Sequence, residues 1–196
     1  ISAMIVAVLF GSMFGMIAAM RQNTVSDYGV MTVAMTGISI PNFVVAPLLI
    51  LGFAVGLGWL PAGGWNGGAW QNIVLPVVAL ALPQVAYVAR IMRGSMIEVL
   101  RSNYLRTARA KGLPVRQVIL RHALKPAFLS VLSYLGPATA GIITGSVVME
   151  QIFSIPGLGR FFVQGALNRD YTLVLGVVIF YGALIIGFNF LVDLLY

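Results

Sequence analysis

The residues best suited to chemistry are basic, and most of them lie in one stretch of the chain. Residues 90–125 hold nine of the twelve Lys and Arg residues and one acid, Glu98. Guanidinium and ammonium groups bind carboxylates and phosphates, so the stretch favours electrostatic docking onto an acidic partner. The nine cations are Arg90, Arg93, Arg101, Arg106, Arg109, Lys111, Arg116, Arg121 and Lys125.

The sequence holds few residues for other kinds of chemistry. It has no cysteine, which excludes disulfides, thiol catalysis and cysteine-ligated metals. His122 is the only histidine and the five acids are scattered, so neither a hydrolase triad nor a metal site can be assembled. A phosphate-binding loop of the pattern Gly-x-x-x-x-Gly-Lys-Ser/Thr is also missing. We therefore predict that the chain binds no metal or cofactor and is not itself an enzyme.

The segments that position the basic stretch are apolar. Of the 196 residues, 60% are hydrophobic and 9% are charged, with a mean hydropathy of +0.97. Ordinary soluble domains have about a quarter of their residues charged. The composition predicts an all-α polytopic membrane protein in contact with lipid. The net charge of +7 is concentrated in one loop between uncharged runs, so we predict no nucleic-acid partner.

Runs of about 20 apolar residues are long enough to cross a membrane. The runs are separated by the polar residues 21–27, by a loop at 56–70 rich in glycine and tryptophan, by the basic stretch, and by residues 150–170. Tryptophan prefers the headgroup level, so the second of these breaks is an interfacial loop. The predicted spans are about 1–20, 28–55, 71–92, 127–149 and 171–192, and a cytoplasmic loop covers about 93–126.

Charge and small residues add three expectations about these spans. The positive-inside rule places the basic loop in the cytoplasm, because the loops on the other side carry no net charge. The glycine pairs Gly11-x-x-x-Gly15 and Gly141-x-x-x-Gly145 predict close contacts between helices. Because the chain begins within an apolar run that lacks a basic leader, we expect no signal peptide and expect a first transmembrane helix to be missing.

The basic loop has its own predicted structure. A short basic helix runs to Lys111, Gly112 ends it, and Pro114 starts a second helix that continues through His122. The spans themselves carry essentially no ionisable group, which disfavours an ion-coupled carrier. Neutral polar residues are the candidates for a transport pathway, although each is also explained as a hydrogen bond between helices. These residues are Asn42, Gln84, Thr139 and Thr144.

Three sequence blocks resemble the permease subunits of type I ABC importers, which have the MetI-like transmembrane fold, in the branch that serves peptides and nickel. The first block combines Tyr-Leu-Arg-Thr-Ala-Arg-Ala-Lys-Gly-Leu at 104–113 with Arg-His-Ala-Leu-Lys-Pro at 121–126. The others are 145–159 and Asn-Arg-Asp-Tyr at 168–171. The loop at 59–68 is most similar to the B-type subunits of oligopeptide permeases. Where the general family has Glu-Ala-Ala, this chain has Arg-Thr-Ala, a departure that the peptide branch shares.

The resemblance implies roles for two groups of residues. The first group forms a helix seated in a groove of an ATP-binding subunit, although exposed cations satisfying the positive-inside rule are the simpler alternative. The second group contributes to an outer gate or contacts a substrate-delivery protein, although a plain interfacial turn would also explain it. The coupling residues are Arg106, Thr107, Ala108, Arg109, Ala110, Lys111 and Gly112. The outer residues are Glu150, Phe153, Pro156, Gly157 and Gly159.

The resemblance also implies a function, that of a permease subunit of an oligopeptide importer in a bacterial plasma (inner) membrane. ATP and Mg²⁺ are then held by two separate ATP-binding subunits. A second homologous permease subunit and an extracytoplasmic substrate-binding protein are the other implied partners. Dipeptide, glutathione or nickel cargo is the alternative within the family. An ion-coupled or passive carrier is the alternative outside it.

Overall fold

The computed structural model describes residues 1–145 and 147–195, without the side chains of residues 144, 145 and 195. These residues form helices joined by loops, and none of them lies in a strand. The predicted all-α class is confirmed. Four of the described helices are long and apolar enough to cross a membrane, or five spans are present if one bent pair is counted as a span.

The N-terminal part of the chain contains the bent pair. Helix α1 covers Ser2–Met20, α2 covers Val25–Ser39, and α3 covers Asn42–Leu49 and continues as a π-helix over Ile50–Gly56. The predicted span at 28–55 is thus divided between α2 and α3. Pro41 lies at the break, immediately before α3, because proline has no N–H to continue a helix but suits its beginning.

The central helices are longer than the predicted spans. Helix α4 covers Trp70–Leu100, so it continues eight residues past the predicted end of the third span at 92. It is followed by α5 at Asn103–Ala110 and α6 at Val115–Gln117. A π-helix at Val118–Ala123 leads directly into α7 at Leu124–Gly145.

The C-terminal part has three helices. Short α8 covers Val147–Ile152, α9 covers Gly159–Leu167, and the long apolar α10 covers Tyr171–Leu195. Helix α10 begins at the same residue as the fifth apolar run at 171–192. Asp170 caps its beginning, because its Oδ1 atom accepts the backbone N–H of Leu173 at 3.0 Å.

The chain divides into two compact units. The first unit comprises Met4–Ser39 and Leu82–Leu135, and its core includes Val88, Met92 and Met96 of α4. The second unit comprises Ile1–Ala3, Ile40–Ala81 and Gly136–Leu195. The core of the second unit is formed by Ala46, Leu75, Ala79, Met149 and Phe153.

Helices α1 and α4 approach each other closely in the first unit. A Cβ atom added at Gly11 would lie 2.8 Å from the carbonyl oxygen of Val85, and one added at Gly15 would lie 2.5 Å from that of Ala89. The close contact predicted for the first glycine pair is therefore present. In the second predicted pair, Gly145 lies outside the residues whose surroundings are described.

Candidate functional site

The predicted coupling residues lie on α5 and on the turn that follows it. Leu105 and Ala108 are three residues apart on one face of α5, and both are buried, Ala108 with 7% of its surface exposed. The other face carries the cations and is open to solvent. Its exposed residues are Arg106, Thr107, Arg109 and Ala110.

The buried face of α5 fixes the helix to its neighbours in the first unit. Leu105 and Ala108 belong to the same hydrophobic cluster as Met96 of α4 and Val118 of the π-helix. In addition, the Tyr104 hydroxyl donates a hydrogen bond to the carbonyl oxygen of His122 at 3.2 Å. Helix α5 is therefore packed as one body with the end of α4 and the beginning of the α6–α7 helix.

The turn after α5 depends on a glycine. Gly112 has a φ of +78°, in the left-handed region where a Cβ atom is strained. The N–H groups of Lys111 and Gly112 donate to the carbonyl oxygens of Thr107 and Arg109, both at 3.0 Å, and these bonds close the helix. Pro114 then precedes the next helix, as the sequence predicted.

The exposed cations of this site are unpaired within the part of the chain that the structure describes. There, the one ion pair joins Arg93 to Asp27, and no acid lies within salt-bridge distance of Arg106, Arg109 or Lys111. Their charges face solvent from one side of a fixed helix. This arrangement can bind an acidic surface through charge-assisted hydrogen bonds without first breaking internal pairs.

The Arg93–Asp27 pair was not identified from the sequence. The guanidinium of Arg93 donates to both carboxylate oxygens of Asp27, at 2.7 and 2.6 Å, and the Asp27 side chain is 1% exposed. The backbone N–H of Asn23 also donates to Asp27 at 2.9 Å. The pair ties the first turn of α2 to α4, at a position of α4 between Met92 and Met96 of the hydrophobic cluster that holds α5.

Helix α4 is longer than a membrane span requires. Trp70, which is exposed, stands at the first residue of the helix, and Arg90 follows twenty residues later. Twenty helical residues at about 1.5 Å each match a hydrocarbon core of about 30 Å. Residues 91–100 add about 15 Å of helix to that length. Helix α5 follows the end of this additional segment.

The predicted outer residues form a compact turn in the second unit. The carboxylate of Glu150 accepts the backbone N–H of Gly159 at 2.9 Å, and a Cβ atom added at Gly157 would overlap that carboxylate. Phe153 and Gly159 are buried, whereas Pro156 is exposed. The side chain of Glu150 therefore lies inside the turn and organises its backbone.

This turn is attached to the loop rich in glycine and tryptophan. The N–H of Gly64 donates to the carbonyl oxygen of Phe153 at 2.8 Å, and the amide of Asn72 donates to the carbonyl oxygen of Gly63 at 2.9 Å. A Cβ atom at Gly63 would lie 2.7 Å from the Phe153 oxygen. Gly63, Gly64 and Asn72 were missed as site residues. The density of glycine in this loop was their one sequence signal.

The pathway candidates belong to three helices, α3, α4 and α7. Gln84 accepts a hydrogen bond from the Tyr134 hydroxyl at 2.6 Å, which joins α4 to α7 within the first unit. Asn42 is partly exposed at the beginning of α3, and Thr139 is partly buried in α7. The side chain of Thr144 lies outside the described residues.

Comparison with known proteins identifies strong similarities over the whole chain. Residues 11–196 match the family model described as the inner membrane component of binding-protein-dependent transport systems. The chain is 63% identical over 195 residues to the oligopeptide transport system permease protein OppB of Escherichia coli strain K12, covering 100% of this chain and 64% of that protein. The chain thus spans less than two thirds of the length of this relative.

Two further relatives are similar over almost the same region. The oligopeptide transport system permease protein OppB of Haemophilus influenzae is 57% identical over 190 residues, covering 97% of this chain and 62% of that protein. The dipeptide transport system permease protein DppB of Bacillus subtilis is 47% identical over 195 residues, covering 100% of this chain and 63% of that protein.

Proposed function

Because the chain belongs to the family of inner membrane components of binding-protein-dependent transport systems, we propose that it is a permease subunit of an ATP-driven oligopeptide importer. The chain is a multi-pass membrane protein of the type I ABC importer class. Two separate ATP-binding subunits hold ATP and Mg²⁺. A second homologous permease subunit completes the pathway, and an extracytoplasmic binding protein delivers the peptide.

The observation that carries this proposal is the fixed, one-sided exposure of α5. Its cations face outward without internal partners, while Leu105 and Ala108 bind it to the projecting end of α4. An acidic groove on an ATP-binding subunit complements this surface. When two such subunits close on ATP, they displace α5, and the shared hydrophobic cluster transmits the displacement to α4 and α7.

The exposed and the buried residues of α5 have different roles in this proposal. Arg106, Thr107, Arg109, Ala110 and Lys111 form the surface that touches the ATP-binding subunit. Ala108, which is buried, keeps the helix close to its own core. Gly112 provides the turn through which the displacement reaches the following helix.

On the opposite side of the membrane, the Glu150–Gly159 turn and the loop at 56–70 serve as the outer gate and the contact for the binding protein. The hydrogen bond from the Gly64 N–H to the Phe153 carbonyl oxygen joins the two segments, so they move together when the gate opens. Asn42, Gln84, Thr139 and Thr144 remain the candidates for the pathway lining. The five predicted spans, with α2 and α3 together as the second, supply its walls.

Cysteine crosslinking tests the coupling role directly, because these 196 residues contain no cysteine that would compete with an introduced one. We introduce Thr107→Cys into the full-length subunit, assembled with its native partners, and add a short thiol-reactive crosslinker. We expect a product with an ATP-binding subunit whose yield changes when ATP is bound. Ala108→Cys is the matched control, since the adjacent side chain faces the core of its own subunit and yields no such product.

Two results would contradict the proposal. One is an intact complex in which Thr107→Cys reacts with lipid or solvent but never with an ATP-binding subunit. The other is equal crosslinking from both cysteines, because it would show that the exposed face of α5 has no special role. Uptake of labelled oligopeptides and dipeptides by the same complex identifies the cargo.

A further inference from the structure

The first unit contains an apolar groove. Helix α1 forms one side of it, and the π-helix together with α7 forms the other. Its main cavity has a volume of about 500 Å³. Val8 and Leu9 of α1 form one wall, and Phe128 and Leu129 of α7 form the other. Lys125 lies at the edge of this cavity, and Ser12, whose hydroxyl is buried without a partner among the described residues, also lines it.

The position of Lys125 relates the groove to the membrane. Lys125 precedes the predicted fourth span at 127 by two residues, so its ammonium group lies at the headgroup level of the cation-rich side. Phe128 and Leu129 follow it into the hydrocarbon region. The apolar part of the groove therefore faces the acyl chains, and its charged edge faces the headgroups.

Two further cations continue this edge. Arg116 and Arg121 line an adjoining cavity of about 410 Å³, which shares Leu120 with the main cavity. Arg116 belongs to α6 and Arg121 to the π-helix, and both face this cavity. Lys125 follows Arg121 by four residues on the same side of the helix.

The charges along this edge are uncompensated. Arg116, Arg121 and Lys125 are exposed, and in the described part of the chain none of them lies within salt-bridge distance of an acid. A groove that is apolar within the membrane and cationic at its surface complements an amphiphile with an anionic headgroup. A lipid without net charge would leave the three cations without a compensating negative charge.

We propose that this groove binds one anionic phospholipid of the inner leaflet. Its phosphate contacts Lys125 and Arg121, with Arg116 contributing at longer range. One acyl chain lies between Val8 and Leu9 on one side and Phe128 and Leu129 on the other. The bound lipid fills the space between α1 and α7 and joins two helices of the unit that carries α5.

Native mass spectrometry of the assembled importer tests this site. The complex is equilibrated with equal amounts of phosphatidylglycerol and phosphatidylcholine, and the retained lipids are counted. We expect preferential retention of phosphatidylglycerol by the unmodified complex. Lys125→Gln and Arg121→Gln should each reduce this retention about fivefold, as expected for loss of one cation near an anionic headgroup. Arg101→Gln removes the same charge at the far end of α4 and should leave retention unchanged.

A second variant tests the acyl-chain part of the site independently. Leu9→Trp fills the main cavity while keeping all three cations, so it should also reduce retention of phosphatidylglycerol. Leu175→Trp is its matched control, because Leu175 is an exposed residue of α10 in the other unit.

Three results would overturn the proposal. The first is equal retention of the two lipids by the unmodified complex. The second is the same loss of retention in Arg101→Gln as in Lys125→Gln. The third is a crosslink to a polypeptide rather than to lipid from a photoreactive phenylalanine analogue placed at residue 128. Such a crosslink would show that a protein helix occupies the groove.

Discussion

The side chains that matter most to α5 differ in how they act. Arg106 and Arg109 carry charge that is exposed to solvent, whereas Ala108 and Gly112 determine where that charge points. Ala108 keeps the helix against its own core, and Gly112 reverses the chain immediately after it. The orientation of the cationic surface is therefore determined by two small residues of the segment.

Gly112 gives the first prediction at this scale. In Gly112→Val, the left-handed backbone costs about 1–3 kcal/mol, so the turn rearranges and displaces α5 from its position. Peptide uptake by membrane vesicles should fall to near zero, while the amount of inserted subunit remains normal. Gly112→Asn should keep most of the uptake, because asparagine tolerates this conformation. Normal uptake by the valine variant would contradict the role given to the turn.

The Arg93–Asp27 pair gives the second prediction at the scale of residues. Asp27→Asn leaves the Arg93 guanidinium without its carboxylate, and Arg93→Gln leaves a buried carboxylate without its cation. Removing one partner of a buried pair costs about 3–5 kcal/mol, and we expect about 2–3 kcal/mol here because Arg93 is 27% exposed. The double variant Asp27→Asn with Arg93→Gln should recover part of this loss. Thermal unfolding in nanodiscs measures the loss of stability in each variant. Strictly additive losses in the double variant would show that the two residues are not coupled.

At the scale of elements, the molecule uses close helix contacts and short turns to hold its loops. Helix α1 lies against α4 through two glycines, and the Glu150–Gly159 turn encloses its own carboxylate. Both arrangements leave no room for a side chain. Substitutions that add one methyl group are therefore informative tests.

In the contact between α1 and α4, Gly15→Ala places a methyl group 2.5 Å from the Ala89 carbonyl oxygen. The helices must move apart, at a cost of about 1–3 kcal/mol for overpacking. We expect a lower unfolding temperature in nanodiscs. Gly29→Ala on α2 is the control, because a methyl group there meets no described atom within 4 Å. An unchanged unfolding temperature for Gly15→Ala would show that the contact is loose.

In the outer turn, Gly157→Ala forces a methyl group into the Glu150 carboxylate. The turn should open and peptide uptake should decrease, with no change in the association of the ATP-binding subunits. Combining Gly157→Ala with Glu150→Ala removes the overlap, and uptake should recover if steric crowding is the cause. Recovery will be absent if the Glu150 charge itself is required, so the double variant separates these two roles.

At the scale of the whole molecule, the proposed function requires energy from other subunits. Nine of the twelve cations lie in residues 90–125, and the long helices are otherwise mainly apolar. Under the proposed function, the subunit depends on movement supplied by another polypeptide. The proposed assembly with ATP-binding subunits follows from that dependence.

This dependence gives the last prediction. The full-length subunit reconstituted alone in liposomes should transport no peptide, with or without a proton or sodium gradient. Adding the second permease, the ATP-binding subunits, the binding protein and ATP should restore uptake. Transport by the subunit alone would instead favour a carrier, the alternative left open by the sequence. An empty liposome and a complex lacking ATP serve as controls.

The sequence by itself determined the class of the molecule and the place of its cationic site. Apolar runs, loop charge and Gly112 are local features, so they predicted the spans, the basic loop and the glycine turn, while the resemblance of three sequence blocks indicated the family. The sequence was less informative about helix ends. The predicted span ends at about residue 92, whereas α4 ends at Leu100, because a helix can continue through the polar and charged residues that follow an apolar run.

The tertiary structure alone decided which residues meet across the chain. Asp27 and Arg93 are 66 positions apart, and Gly63 lies against Phe153 although ninety residues separate them. The burial of Ala108 likewise depends on Met96 and Val118, which come from other helices. These contacts arise from the way helix faces pack together, and a local pattern of residues does not specify which faces will meet.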